Sequence, residues 1–221
     1  VRGRLGLLLS TTAVLLFTLV SGAQAATVTV GSPLVAVFGG QFSSAPSGTW
    51  VNSALPESGA SVASPVSGTI VRWRLAGNHN DGPFKLRVLR PGAGGVFTGA
   101  GTSEQVTPLA GLQTFTTSLP IQAGDVIGLN GITGSQIGVA GVLGSHLINW
   151  NPALADGDTS APDYTNYNNL ELAFNADVEY VPTPPATTTT TKKKCKKKKK
   201  HKRSAESAKK KCKKKKKKKK G

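Results

Sequence analysis

The densest group of chemically capable side chains in the body of this 221-residue chain is Asp156-Gly-Asp-Thr-Ser-Ala-Pro-Asp, with Asp156, Asp158 and Asp163 inside eight residues. Clustered carboxylate and carbonyl oxygens suit a hard cation such as Ca²⁺, so the segment is a weak calcium candidate. Its spacing does not fit an EF-hand loop. Asp, Gly and Pro also serve turns, and a polar surface loop is the favoured reading. Tyr164, Asn166, Tyr167, Asn168 and Asn169 follow at once. Tyr164, Tyr167 and Asn168 form a candidate ligand surface, because tyrosine rings stack on sugars while amides bond their hydroxyls. The same residues would equally cap one end of a folded body.

Other catalytic signatures are missing. Gly92-Ala-Gly-Gly-Val lacks the Lys-Ser/Thr of a phosphate-binding loop and precedes no predicted helix. No Gly-x-Ser-x-Gly elbow occurs. His79 and His146 lie far apart, and the body has no cysteine. Two carboxylates at glycosidase separation are arithmetically available but not indicated. The expectation is a non-enzyme without cofactor.

The elements that would position these groups are strands. Residues 69–75 alternate, with Val71, Trp73 and Leu75 opposite Ile70, Arg72 and Arg74, and 84–90 put Phe84, Leu86 and Val88 opposite Lys85 and Arg87. The turn formers between them predict a hairpin. Paired that way, Arg72, Arg74, Lys85 and Arg87 would form a cationic patch, or pair across strands with Glu171, Asp177 and Glu179, the favoured alternative. Further strands are predicted at 34–38, 113–118, 125–129, 136–140 and 146–150, and one long strand at 170–180. Short strands punctuated by Gly and Pro predict an all-β, antiparallel, jelly-roll-like sandwich over residues 26–181. Trp73, Leu86, Leu172, Phe174 and Val178 are its expected core.

Residues 1–25 read as an export signal: Arg2 and Arg4, an uncharged apolar run of 16 residues from Leu5 to Val20, then Ala23 and Ala25 in an A-x-A cleavage pattern. The run is shorter than the roughly 20 residues of a spanning helix, so the mature form is expected to carry no transmembrane segment. Residues 182–191 are a Pro/Thr linker, extended and semi-rigid. Residues 192–221 hold 21 Lys and Arg against a single acid, Glu206, whereas residues 26–191 hold five Lys and Arg against ten Asp and Glu. The formal charge of +17 therefore hides a mildly acidic body and an extremely basic tail. The candidate polyanion-binding residues are Lys192, Lys193, Lys194, Lys196, Lys197, Lys198, Lys199, Lys200, Lys202, Arg203, Lys209, Lys210, Lys211, Lys213, Lys214, Lys215 and Lys216. The tail is expected to be disordered or partly helical.

The tail from Lys192 to Lys220, with the phrases Ser64-Pro-Val-Ser-Gly-Thr-Ile-Val-Arg-Trp-Arg and Leu119-Pro-Ile-Gln-Ala-Gly-Asp-Val-Ile-Gly-Leu, resembles a type of exported protein of high-GC Gram-positive bacteria. These carry a signal peptide, a jelly-roll-like β-sandwich, a Thr/Pro spacer and a Cys/Lys-rich tail. The resemblance implies location and architecture, and supplies no activity or site residue.

Together these features lead to an expected secreted, cell-envelope-associated binding protein. Its tail would hold anionic cell-wall polymers or an anionic lipid surface, and its sandwich would present a surface to carbohydrate. Extracellular DNA is the alternative polyanion, since polylysine binds it by counterion release. A secreted hydrolase is the third reading.

Both cysteines of the chain, Cys195 and Cys212, lie in the tail, 17 positions apart. In one straight helix they would stand roughly 25 Å apart, and a disulfide needs Cα atoms within about 7 Å. The lysine-poor segment Ser204-Ala-Glu-Ser-Ala offers a place to reverse. Export permits the bond, and closing such a loop contributes up to about 3 kcal/mol. Intermolecular pairing and reactive free thiols are the alternatives. The expected result under non-reducing mass analysis is a monomer lighter than its reduced form by the two thiol hydrogens; dimers or two alkylatable thiols would overturn it.

Overall fold

Strands form where one row of side chains can be buried, and here nearly every strand has an apolar row to bury. The computed structural model describes residues 24–37, 39–44, 47–76, 82–132 and 135–183. The apolar leader, His79, most of the Pro/Thr linker, both cysteines and the candidate polyanion-binding lysines lie outside the described residues. Among those described there is no α-helix, only one 3-10 turn at Ala93–Gly95. None of the described residues forms a helix long and apolar enough to cross a membrane.

The strands are β1 (Ala26–Gly31), β2 (Gly40–Ser44), β3 (Gly48–Ala54), β4 (Gly68–Leu75), β5 (Phe84–Pro91), β6 (Phe97–Thr102), β7 (Gln113–Ile121), β8 (Val126–Gly131), β9 (Ser135–Trp150), β10 (Thr159–Ser160), β11 (Tyr164–Leu172) and β12 (Phe174–Tyr180). They make two antiparallel sheets. The smaller has the order β1-β12-β4-β7; the larger runs β10-β6-β5-β8-β3-β9-β11, with β2 also on β9. Taking β1, β3, β4, β5, β6, β7, β8 and β12 in turn, the chain passes between the sheets in jelly-roll order, β1-β12-β4-β7 facing β6-β5-β8-β3. β9 and β11 are an insertion before the last strand that widens the larger sheet beyond β3.

The inner faces meet over Trp73, Leu75, Phe84, Leu86, Leu129, Leu172, Phe174 and Val178, all buried. Removing side chains of this size from water is worth about 1.5–3 kcal/mol each. The expected core residues are all in place, but four expectations about strands are corrected. First, 69–75 and 84–90 do not pair. β4 lies in the smaller sheet and β5 in the larger, because residues 76–83 are long enough to cross the roughly 10 Å between packed sheets.

Second, residues 34–38 form no strand over their described part; Leu34 has φ 57°, a left-handed conformation that stops extension. Third, 170–180 is two strands that change sheet at Ala173. Leu172 and Phe174 both face the core on either side of that corner, so the alternation runs through unbroken. Fourth, 136–140 and 146–150 belong to a single strand, β9. Gly141 and Gly144 mark the irregular stretch where β11 shifts register.

The charges also sort differently. Arg72 and Arg74 stay on the outer face of the smaller sheet, while Lys85 and Arg87 are on the larger one, so no patch joins the four. Of the acids expected as their partners, Asp177 takes that role. It stands in register between Thr29 of β1 and Arg72 of β4. Its carboxylate accepts hydrogen bonds from Arg72 Nε, Arg74 Nη1 at 3.0 Å and Nη2 at 2.6 Å, and Thr29 Oγ1 at 2.9 Å. Burial alone would raise its pKa, but the donors outweigh burial and hold it near 2, against an ordinary 3.8.

A depressed carboxylate pKa stabilises the fold fully above the unfolded value and loses its effect as pH falls through the folded one. Asp177→Asn is expected to cost about 2 kcal/mol, below the range for a wholly buried pair because Arg72 is half exposed. The loss should be constant above about pH 5 and shrink toward pH 2. Urea unfolding of both proteins across that range checks it; a loss independent of pH would rule out the ion pair as its source.

Candidate functional site

The larger sheet is apolar on its outer face as well. Val51, Leu89, Val126, Ile148 and Trp150 point away from the main core and form a second cluster with Leu154. Such a face must be covered, and the connection between β9 and β11, residues 151–163, covers it. Leu154 inserts its side chain, and its N–H donates to Thr49 Oγ1 at 3.1 Å. The Phe97 ring stands edge-on to Trp150 at 5.2 Å.

Polar contacts fix the connection at its rim. Asp156 Oδ1 accepts from Arg87 Nη2 at 2.6 Å and from Thr102 Oγ1 at 2.7 Å. Gly157 N–H donates to Gly99 O at 2.8 Å, and Gly99 N–H to Asp158 O at 3.0 Å. Gly99 permits this approach, since a Cβ there would lie 2.2 Å from Ala155 O. Asp163 Oδ2 accepts from Asn151 N–H at 2.6 Å and ties the two ends together. Arg87 is buried, and burial lowers its pKa against the opposing pull of Asp156 and Asp158.

Between this connection and the sheet is an open cavity of about 330 Å³, lined by Trp150, Pro152, Ala153, Leu154, Asp158, Thr159, Ser160 and Asp163. The acidic segment therefore divides its work. Asp156 neutralises Arg87 and Asp163 closes the connection, while the carboxylates of Asp158 and Asp163 also border the cavity. Asp158, Ser160 and Asp163 offer polar groups beside an apolar floor to a small polyhydroxylated ligand, while the Thr159 hydroxyl is shared with Thr98 Oγ1 at 2.7 Å. Trp150 is 1% exposed, so it shapes the floor and offers no stacking face.

Tyr164, Tyr167 and Asn168 are not part of that cavity. Tyr167 is half-buried and packs edge-on to Trp50 at 5.4 Å, on the inner face. Tyr164 lies 6.5 Å from Tyr167 and is 56% exposed, at the outer strand of the larger sheet. Asn168, further along the same strand, is exposed. Of the proposed ligand surface, Tyr164 and Asn168 are exposed to solvent, and Tyr167 packs against Trp50 and Tyr164.

A second titratable group, expected from the sequence as a cross-strand partner of the arginines, does not take that role. Glu171, wholly buried on β11, stands beside Glu57 from the β3–β4 connection. Burial, and then the Glu57 carboxyl, raise the Glu171 pKa to about 7. Facing carboxyls of this kind can perform acid–base chemistry, but neither lines the cavity. The alternation placed Glu171 on the outward face of its strand; nothing in the sequence placed Glu57 against it.

Asp156→Ala would leave the buried Arg87 guanidinium without the carboxylate it bonds, a costly state. The expected outcome is release of residues 151–163 at ambient temperature, read as thermolysin cleavage at Leu154 at least tenfold faster than in the parent protein, with the global unfolding transition retained. Unchanged proteolysis would show that apolar burial alone holds the connection.

Comparison of the chain with protein-family models, with curated proteins and with solved structures finds no match in any of the three, so a functional reading rests on the chemistry of these residues.

Proposed function

We propose that this is a secreted, envelope-associated binding protein: the lysine-rich tail holds it on anionic cell-wall polymers or anionic lipid, and the jelly roll presents a small-ligand cleft. The observation that carries the reading is the charge segregation, 21 Lys and Arg against one acid in residues 192–221, beside a body with twice as many acids as bases. Each lysine near an anionic surface gains about 1 kcal/mol, with diminishing returns as charges crowd. A fraction of the tail is enough to retain the protein at low salt. An apolar leader ending in Ser-Gly-Ala-Gln-Ala supports export.

Carbohydrate is the ligand class that suits the cleft. Vicinal hydroxyls can donate to Asp158 and Asp163 and exchange hydrogen bonds with Thr159 and Ser160, over the apolar floor of Leu154 and Pro152. Tyr164 and Asn168, at the sheet edge, are the other surface on which a sugar could rest.

The test compares the full chain with one ending at Val181 for retention on isolated cell envelopes across a salt series. Retention of the full chain is expected to fall steeply with salt, because exposed charge contacts are screened and counterions are released. The shortened chain should be retained at least tenfold less at low salt. Equal retention of the two would refute the anchor. On immobilised envelope glycans, Asp158→Asn is expected to weaken the shortened chain about tenfold; loss in Tyr164→Ala alone would move the ligand to the sheet edge.

A further inference from the structure

Three segments converge where the chain leaves β1. Gly31 N–H donates to Ser61 O at 2.7 Å and Ser61 N–H to Gly31 O at 3.2 Å, which ties the β1 exit to the β3–β4 connection carrying Glu57. Ser32 N–H donates to Phe174 O at 3.0 Å, and Asn175 Nδ2 to Ser32 O at 2.8 Å, which ties the same exit to the start of β12. Glu171, at the end of β11, has the Glu57 carboxyl and the Ser32 hydroxyl as neighbours.

This corner differs from the other buried acids. Among the described residues, Asp125 and Asp177 are the other buried carboxylates, and each has an arginine: Arg90 for Asp125, Arg72 and Arg74 for Asp177. Glu171 is 0% exposed and has none. Both of its carboxylate oxygens, and Oε2 of Glu57, are buried without a hydrogen-bond donor. A fold that satisfies its other buried acids leaves three oxygens of this neighbouring pair without a partner. A divalent cation cancels both carboxylate charges and uses all of these oxygens.

We propose that this corner is a calcium site, with Glu57 and Glu171 as its carboxylate ligands and the Ser32 hydroxyl as a neutral one. All the donors are oxygens, the preference of a hard cation, and Ca²⁺ accepts the irregular geometry that three separate segments provide. Mg²⁺ demands a near-octahedral shell and keeps several waters, which suits a wholly buried Glu171 poorly. The ion would fasten the β1 exit, the β3–β4 connection and the β11–β12 corner together. The site is separate from the Asp156–Asp163 segment, whose carboxylates have protein donors or face the cavity.

The experiment is calorimetric titration of Ca²⁺ into the full chain after dialysis against a chelator, with thermal unfolding measured in chelator and in calcium. The lysine tail repels cations and adds no background. Saturable binding of one ion is expected, with a Tm at least about 5 °C higher in calcium at a hundredfold excess over Kd. Glu57→Gln, isosteric at a partly buried position and so expected to fold, should lose the heat and the Tm response. Asp158→Asn should keep both. No heat and no Tm shift in the parent protein overturns the proposal, as does calcium binding that survives Glu57→Gln.

Discussion

The burial of one inward-facing row from each of two sheets is the constraint on which everything else in this molecule depends. Trp73, Leu75, Phe174 and Val178 from the smaller sheet meet Phe84, Leu86, Leu129 and Leu172 from the larger. No cysteine lies in the body to staple it, so the free energy opposing chain entropy comes from this interface. The jelly-roll order follows from the same demand. A chain that passes repeatedly between the sheets covers both ends of the sandwich and places consecutive apolar rows on opposite walls. The price is that the inserted strands β9 and β11 carry the larger sheet past β3. An outer apolar face must then be roofed by residues 151–163, and the cavity lies beneath that roof.

Charge enters the structure as a set of locks on this frame. Asp177 bonds across three strands of the smaller sheet. Asp125 pairs with Arg90 through both oxygens, at 2.9 and 3.0 Å, and also accepts Gln122 N–H at 2.9 Å, so it fixes the turn by which the chain passes from β7 to β8. Arg87 and Asp156 hold the roof. In each case one partner is buried and would be costly to leave alone: the carboxylate in Asp177 and Asp125, the guanidinium in Arg87.

Burial was legible in the sequence, while partnership was not. Leu172, Phe174 and Val178 announce their inward direction by period-2 alternation, and all three are buried. The same alternation concealed the change of sheet at Ala173, because a corner that keeps the inward phase leaves no mark on the pattern. β3 is buried through most of its length, so it lacks the one-sided rhythm that identifies a strand. β6, Phe-Thr-Gly-Ala-Gly-Thr, reads as loop, yet its Gly99 is what admits the backbone of the roof. Asp156 was recognisable as part of an acidic segment, but its partner Arg87 lies 69 positions away. Glu57 and Glu171 come together only once β11 is placed beside the exit from β1. Periodicity reports which way a side chain points; only topology reports what it meets.

The same ion pairs bear on where polyanions can bind. The body has five basic side chains, all among the described residues, and four of them, Arg72, Arg74, Arg87 and Arg90, are engaged with Asp177, Asp156 or Asp125. Lys85 alone stands outside these pairs. A cation already held by a carboxylate has little charge left to offer a phosphate, and removing it would unlock the sheet or roof that it fixes. The body thus uses its positive charge for folding, and what it keeps in excess is acidic. In the proposed function, affinity for polyanions therefore resides in the lysine-rich segment beyond the linker, while recognition belongs to the body. The two can change independently, because no residue of the described body is needed for both.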